Sequence, residues 1–543
     1  MSASSKKKLR NAEQAMQMTE RQLAEQKEAK KLKTFSIIMV AALVLMLVFA
    51  AYIVTSTAIE NANRGKEERS HIALSVGEHE LSAAEFNCFF IDAVSNFYSQ
   101  YGSYASLFGL DVTKALDQQY YDEAEQITWA DEFINEAQHN AKAVYGIVDE
   151  AKANGFTLSE DDLAYVDSQM AMMETYAKLY GYNKTADYIQ AMYGTGCNEE
   201  ILGNYLELCR TAQAYQNSVA DALEFTDADI QAEDVKNPAA FSNFSYNYYY
   251  LAASKFLQGG TEGEDGAVTY SDEEQAAALA AAEEAAKAIT TGVSNAQQFD
   301  LAVKALDINA ESATAASTAC DEYTYDYVNS VIQSWVTDAS RQAGDITYIP
   351  SVSTDADGKE TTNGYYAVLF TGRNDNEMFL QNVRHILVKF EGGKTENGTT
   401  TYSDEEKAAA KEAAEAILAD WKAGEANEDS FAALANEKSD DGNGTTGGLY
   451  TDIYPGQMVP NFNDWCFDTA RQAGDTGVIE TEYGYHVMYY VGAAEQTYRE
   501  YQIVNALTNE AVEKWYTDIV EAQTLTAGDM DHVPTGMILS SGN

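Results

Sequence analysis

The order of hydrophobic and polar residues divides the chain into a helical first half and a second half that mixes strands with helices. From about residue 82 to residue 235, apolar residues recur at spacings of three and four, which is the period of an amphipathic helix. From residue 241 onward, short aromatic and β-branched runs alternate with Ala/Glu-rich stretches, which predicts strands separated by helices. The pattern therefore predicts an α+β fold.

The boundaries of the helical parts follow from local signals. A module over 70–238 is expected to begin with a strand pair that turns at Gly77, and Ser82 followed by Glu85 predicts the N-terminus of the next helix. A C-terminal helix is predicted over 497–522. The remaining residues carry no clear period and predict a loose tail.

Two segments of the second half repeat the same succession of motifs. The first opens with YYYLAASKF and closes with NGYYAVLF, and the second opens with VRHILVKF and closes with YGYH. In both, a helix begins at Tyr-Ser-Asp-Glu-Glu, and a later stretch contains RQAGD. The repetition predicts two tandem domains of one fold, over 241–373 and 379–493, each a small antiparallel sheet with helices. Only the second copy contains histidine.

An uncharged apolar run over 35–54 predicts a membrane-spanning helix. Its 20 residues are long enough to cross the hydrocarbon core of a bilayer. The preceding segment, 1–33, holds nine basic and four acidic residues, which predicts a cytoplasmic N-terminus and an extracytoplasmic bulk. A cleaved signal peptide is the competing interpretation, but the long N-terminal segment and the long apolar run favour an uncleaved single-pass anchor in the cell membrane.

Composition narrows the range of partners. The net charge is −50, and because 26 of the 35 basic and 81 of the 85 acidic residues follow residue 33, that part carries −55. Such a surface repels nucleic acid and favours basic unfolded polypeptides. Five scattered cysteines predict no disulfide framework, and a bridge between Cys197 and Cys209 stays open. No cofactor and no metal site are expected.

The second copy resembles the parvulin family of peptidyl-prolyl isomerases. The resemblance covers about 110 residues and consists of the ordered segments VRHILVKF, FAALANEKSDD, GQM and YGYH. It implies that His385 and His486 lie side by side on adjacent central strands, with Asp441 where the family carries Cys or Asp. It also implies an apolar slot for the proline ring with a polar rim, formed by Leu449, Met458 and Phe462 with Gln457 and Thr481.

This chain departs from the parvulin pattern in one region and lacks the pattern in its first copy. The segment GGLY lacks the Asp usual in GGDLG, and one extra residue precedes GQM. In the first copy, the plausible alignments place Leu251 or Tyr250 at the position of His385, and Tyr366 at that of His486. The first copy is therefore expected to be inactive.

The residue types suit a reaction that breaks no covalent bond. An apolar slot holds the proline, and neutral imidazoles supply a polar floor that fits the twisted amide better than the planar one. The structural alternatives stay open: a buried histidine is often a satisfied core group, Asp441 could cap a turn, and Met458 and Phe462 could be ordinary core.

The layout of anchor, helical module, parvulin domains and terminal helix resembles that of PrsA- and SurA-like extracytoplasmic foldases. The resemblance implies a prolyl isomerase and folding chaperone for exported polypeptides with X-Pro bonds. The alternative is a non-catalytic holdase that uses the parvulin folds as peptide-binding platforms.

Overall fold

The computed structural model describes residues 61–262, 267–310, 314–355, 357–396, 398–442 and 446–539. The predicted basic segment 1–33 and membrane helix 35–54 lie outside these ranges. Among the described helices, none combines the length and the hydrophobicity that crossing a membrane would require. The described residues divide into two compact units, one made of 61–224 together with 508–539, the other of Phe225–Leu507.

The first unit is mainly helical. Its N-terminal part contains helices α1 to α6, which are Asn61–Ser70, Ala83–Tyr101, Trp129–Ala153, Glu160–Leu179, Thr185–Tyr193 and Glu199–Asp221. It also contains strands β1 to β4, which are Ile72–Val76, His79–Ser82, Tyr120–Asp122 and Ile127–Thr128. The predicted strand pair is confirmed, since β1 and β2 pair antiparallel around Gly77.

The first unit encloses one hydrophobic core centred on α2. The Ser82 hydroxyl and the Glu85 carboxylate form a reciprocal capping box at the start of α2, as the sequence predicts. Along α2, the fully buried Phe86 and Phe90 contribute to that core. Cys88 of α2 lies 3.7 Å from Cys197, sulfur to sulfur, and both are free thiols, so the structure does not support the bridge considered between Cys197 and Cys209.

The C-terminal tail is ordered as far as the structure describes it, to residue 539, contrary to the sequence-based expectation. The strand Leu525–Ala527 pairs antiparallel with β1 and makes a three-stranded sheet with β1 and β2. Val533, Met537 and Leu539 are buried in the core of the first unit. The tail shows no hydrophobic period because it has almost no regular structure of its own. Its few apolar residues are buried one by one in the core and do not line up on one face of a helix or strand.

The second unit begins with α7, Asp227–Lys236, and the first copy of the repeat. The strands of this copy, β5 to β10, are Asn243–Ala252, Thr261–Glu262, Val268–Thr269, Thr318–Thr324, Ile346–Thr354 and Glu360–Asn374. Its helices, α8 to α10, are Asp272–Thr290, Ala296–Lys304 and Gln333–Val336. The main sheet has the antiparallel order β8-β5-β10-β9.

The second copy has the same architecture. Its strands, β11 to β16, are Phe379–Lys389, Lys394–Glu396, Thr399–Thr401, Leu449–Ile453, Thr476–Glu480 and Gly484–Thr497. Its helices, α11 to α13, are Asp404–Ala423, Glu428–Lys438 and Pro460–Cys466, and α14, Tyr498–Ala522, follows. The sheet order β14-β11-β16-β15 matches the first copy strand for strand. Ser271 and Ser403 form the same capping box at α8 and α11.

Strand register aligns the two copies. A glycine lies two residues before Tyr366 in the first copy and two before His486 in the second. In the first copy this glycine pairs with the residue four positions after Tyr248 on the opening strand. In the second copy it pairs with the residue four positions after His385. Tyr248 and Tyr366 therefore occupy the places of the two histidines.

The predicted alignments of the opening strand were therefore wrong, because they placed Leu251 or Tyr250 opposite His385. The strand reads SYNYYYLA, so its repeated tyrosines fit several registers equally well. Only the pairing with β10 distinguishes them. The equivalence of Tyr366 and His486 agrees with the prediction.

Candidate active site

The two central strands of the second copy present different side chains to their two faces. Because side chains alternate along a strand, Val383 and His385 point to one face of β11, while Arg384 and Ile386 point to the other. Ile386 packs in the core beneath α11 and α12, whereas Val383 packs with Phe462 in a separate apolar cluster. The face that carries His385 is therefore the candidate site.

The two predicted histidines meet on this face. His385 Nδ1 lies 3.0 Å from His486 Nδ1, and His486 Nε2 lies 2.8 Å from the Thr481 hydroxyl oxygen. All three side chains are buried. The Thr481 oxygen also accepts the backbone N–H of Tyr483 at 3.2 Å, which orients the hydroxyl. A continuous chain of polar contacts thus joins the turn before β16 to β11.

Asp441 lies at the far end of this chain. Its Oδ2 is 3.0 Å from His385 Nε2, but the angle at the ring nitrogen is poor for a hydrogen bond, so we treat the contact as electrostatic. The Tyr450 hydroxyl donates to the same oxygen at 2.9 Å. Partial burial favours the neutral acid, yet Tyr450, His385 and the Gly442 N–H hold the pKa of Asp441 below its usual value.

The electrostatics favour neutral imidazoles. Burial lowers the pKa of His385, although the Asp441 carboxylate opposes the shift. Burial and the adjacent His385 lower the pKa of His486 to about 4. One proton arrangement fits the short contacts: Thr481 donates to His486 Nε2 at 2.8 Å rather than to the Gly484 carbonyl at 3.5 Å, His486 Nδ1 donates to His385 Nδ1, and His385 Nε2 carries its proton towards Asp441. Both rings are then neutral and fixed in orientation.

The depressed pKa of His486 predicts an acid-sensitive domain. Between pH 6.5 and 4, the unfolded chain binds a proton at this histidine and the folded domain does not, so stability falls as the pH falls through this window. The loss from pH 7 to pH 4.5 is roughly 2 to 3 kcal/mol. By NMR, the ring Cε1–H resonance of His486 should stay unchanged between pH 7.5 and 5.5, while that of a histidine peptide titrates. A midpoint above pH 6 for His486 would contradict the prediction.

An apolar cluster adjoins the histidines. The Phe462 ring meets both imidazoles edge to face, with centroids 5.4 Å from His385 and 5.4 Å from His486. Phe462 is buried in one cluster with Val383 and the half-buried Met458. The arrangement places an apolar surface against neutral polar groups, which suits a proline ring and the amide before it.

Two predicted rim or slot residues take other positions. Leu449 pairs with Arg384 on β11 and so lies on the opposite face of the sheet from the histidines, which corrects its assignment to the slot. Gln457 is exposed, and its side chain accepts the backbone N–H of Tyr454 at 3.0 Å, within the turn before Met458. It therefore shapes that turn.

Tyr450, which the sequence did not single out, occupies the place expected for Leu449. Its ring lies 4.8 Å from His385 and 6.4 Å from Phe462, centroid to centroid. The extra residue in this strand forms a β-bulge, because the three residue steps from Tyr450 to Ile453 on β14 lie opposite only two residue steps on β11. Asp452, within the bulge, has a φ of +55°. The departures from the family pattern thus coincide with a shifted strand.

Removal of the Tyr450 hydroxyl tests whether it supports the site. In Tyr450→Phe, the ring remains against His385, but the Asp441 carboxylate loses a donor, so we expect its pKa to rise and kcat/KM for prolyl isomerisation to fall about threefold to tenfold. Tyr485→Phe is the matched control, since it removes a 2.8 Å hydroxyl bond to Glu480 outside the cluster. Equal effects of the two substitutions would show that the Tyr450 hydroxyl has no special role.

The first copy keeps the geometry but not the chemistry of the site. The rings of Tyr248 and Tyr366 lie 5.8 Å apart, compared with 5.2 Å for the two histidines. The residue three positions before the tryptophan that both copies share is Ile332 here and Phe462 in the second copy. Ile332 is buried, and both half-buried tyrosines pack against the same apolar cluster. A tyrosine pair thus fills the position of the imidazole pair.

Comparison with known proteins identifies the second copy. Residues 385–492 match the family model described as the PPIC-type PPIase domain. The chaperone SurA of Chromohalobacter salexigens is 38% identical over 111 residues, which is 20% of this chain and 21% of that protein. This chain therefore spans about a fifth of the length of that relative.

Solved structures of peptidyl-prolyl isomerases align at low similarity. PrsA from Bacillus subtilis is 13% identical over 74% of this chain and 90% of its own, with a TM-score of 0.27. The PPIase domain of TbPar42 is 24% identical over 20% of this chain and 98% of its own, with a TM-score of 0.17. The family match confirms the parvulin resemblance predicted from the sequence: this chain carries a PPIC-type peptidyl-prolyl isomerase domain over residues 385–492.

Proposed function

We propose that the protein is a peptidyl-prolyl cis/trans isomerase and folding chaperone for exported polypeptides, acting at the outer face of the cytoplasmic membrane. The observation that carries the proposal is the hydrogen-bonded pair of His385 and His486, held between Thr481 and Asp441 and packed against Phe462. The family match over 385–492 supports the isomerase part.

The mechanism follows from the barrier to rotation about an X-Pro bond. The bond has partial double-bond character, and rotation costs about 18–20 kcal/mol in water. A slot formed by Phe462 and Met458 holds the proline ring and removes water from the amide. The neutral imidazoles present fixed dipoles that fit the twisted amide better than the planar one, so they lower the barrier without exchanging a proton.

Exchange spectroscopy tests the isomerase proposal directly. We expect catalytic amounts of the full-length protein to broaden or exchange the cis and trans NMR signals of a short Ala-Pro peptide, whose uncatalysed exchange takes tens to hundreds of seconds. An exchange rate equal to that of the peptide alone would refute the proposal.

Anchoring by 35–54 is the second part of the proposal. The uncharged run of 20 residues and the basic segment before it support one membrane crossing with the bulk outside. In intact cells, external protease should remove residues beyond the anchor and leave 1–33 protected. Degradation only after lysis would contradict this orientation.

A holdase function is the second candidate. The observation in its favour is the first copy, which keeps the sheet order of the second while placing Tyr248 and Tyr366 at the histidine positions. In this alternative, peptide binding to the parvulin folds prevents aggregation and turnover is incidental. A variant without isomerase activity that suppresses client aggregation as well as the native protein would favour the holdase.

A further inference from the structure

The first unit carries a concentrated apolar surface between α2 and α3. We call it the apolar patch and define it by four exposed side chains: Tyr104, Leu107, Phe108 and Tyr121, which are 63, 79, 50 and 50% exposed. Three of them belong to the 3₁₀-helix Gly102–Phe108, and Tyr121 lies on β3. Its neighbour Tyr120, which is 47% exposed, is not counted in the patch.

Ring contacts join two members of the patch through aromatic side chains beneath them. Phe108 packs against Phe97, with ring centroids 5.9 Å apart, and Phe97 packs against Trp129 at 5.1 Å. Trp129 in turn contacts Tyr121 at 5.0 Å. Leu107 projects from the same 3₁₀-helix as Phe108. A chain of ring contacts therefore links Phe108 of the 3₁₀-helix to Tyr121 of the hairpin of β3 and β4.

Acidic residues dominate the segment that bears the patch. Residues 102–131 contain six acidic side chains and one basic side chain, a net charge of −5. The lone basic residue, Lys114, is paired with Asp111 at 3.1 Å. Hydrogen bonds from Thr113, with a contribution from Lys114, lower the pKa of Asp111 to about 2, so this carboxylate is charged at any physiological pH. The field around the patch is negative.

The combination of exposed apolar area and negative charge selects one kind of occupant. A second copy of the chain would bring the same acidic residues face to face, and anionic lipid headgroups would be repelled. An extended polypeptide with apolar side chains flanked by lysine or arginine satisfies both features. Unfolded chains expose such segments before their cores form.

We propose that the apolar patch binds unfolded polypeptide segments that combine apolar and basic side chains. The proposal rests on the proposed chaperone function and assigns client capture to a surface of the first unit. Since the patch and the candidate active site belong to different units, a client needs no proline to be held here.

A pair of proline-free peptides tests the proposal without involving the isomerase site. One fluorescent 12-residue peptide contains Leu, Phe and Lys, and its partner carries Glu in place of each Lys. We expect the full-length protein in zwitterionic lipid nanodiscs to bind the Lys peptide at least tenfold more tightly, by fluorescence anisotropy. Tyr104→Ser with Leu107→Ser should weaken that binding about tenfold. Leu179→Ser is the matched control, since Leu179 of α4 is 69% exposed and lies outside the patch.

A charge variant separates the two features of the surface. In Asp122→Asn with Glu123→Gln, the preference for the Lys peptide over the Glu peptide should fall at least threefold, while the apolar patch is unchanged. Equal binding of both peptides by the native protein, or an equal loss in the Leu179 control, would overturn the proposal. Capture by phosphatidylserine vesicles that depends on Leu107 would also overturn it in favour of a membrane.

Parallel measurement of isomerase activity distinguishes a failure of the patch proposal from a failure of the isomerase proposal. The Tyr104/Leu107 variant should catalyse exchange of the short Ala-Pro peptide at the native rate, because neither residue belongs to the isomerase domain. Native isomerase activity without patch-dependent binding would refute the patch alone. Patch-dependent binding without isomerase activity would refute the proposed enzyme and support the patch.

Discussion

Replacement of His385 and His486 by tyrosine, together with Phe462→Ile, is expected to lower kcat/KM for prolyl isomerisation at least about 100-fold while the domain stays folded. The triple variant installs in the second copy the side chains that the first copy carries at the same places. Since the first copy packs the half-buried Tyr248 and Tyr366 against the buried Ile332 in a sheet of the same strand order, the fold accommodates this set. Phenol groups cannot reproduce the chain of neutral imidazoles.

The control uses the first copy. Tyr248→Phe with Tyr366→Phe changes two aromatic residues at the equivalent positions, and we expect isomerase activity to stay within twofold of native. Circular dichroism and amide exchange of β11 and β16 verify that the triple variant is folded. If a folded triple variant keeps more than half of the native kcat/KM, the histidines have an architectural role and the proposed polar floor is wrong.

The sequence predicted the parts of the site that depend on strand ends and on spaced motifs. The parvulin resemblance implied that His385 and His486 lie side by side on adjacent central strands, and the structure brings their rings together. The same resemblance implied an apolar slot with Phe462 and Met458, which lie together in the apolar cluster beside the histidines. Thr481 lies in the turn before β16 and reaches His486 from there. These positions depend on local register.

The sequence could not resolve the strand with the insertion. One added residue reverses the side-chain alternation, so Leu449 and Tyr450 exchange faces depending on where the bulge lies. The bulge is positioned by long-range contacts, such as the Asn382 side chain that accepts the Asp452 N–H at 2.9 Å. The sequence did contain a clue. Tyr450 lies close to the place where the Asp of GGDLG is missing, and a tyrosine hydroxyl can supply a polar group to the site.

The predicted alignment of the first copy's opening strand and the predicted loose tail failed for a related reason. Tyr248 could be recognised only through its pairing with β10, which involves residues more than 100 positions away in the chain. The tail strand Leu525–Ala527 pairs with β1 near the start of the first unit. Pairings between distant segments leave no period in either segment, so pattern analysis misses them.

Gly448→Ala is expected to destabilise the isomerase domain by about 3 kcal/mol or more. Gly448 has a φ of +65°, which costs a residue with a side chain about 1–2 kcal/mol. An added Cβ would also lie 2.2 Å from the His385 carbonyl oxygen and 3.1 Å from Ala435 Cβ, so the backbone beside the site must move. That shift weakens the 2.9 Å bond from the His385 N–H to the Gly448 carbonyl.

Gly456→Ala isolates the conformational cost, because Gly456 has a φ of +83° and open space around it. The temperature at which the full-length protein loses half its isomerase activity should fall several times further for Gly448→Ala than for Gly456→Ala, and amide exchange in β14 should rise only in the former. Equal losses in the two variants would mean that the contact between Gly448 and His385 does not hold the site together.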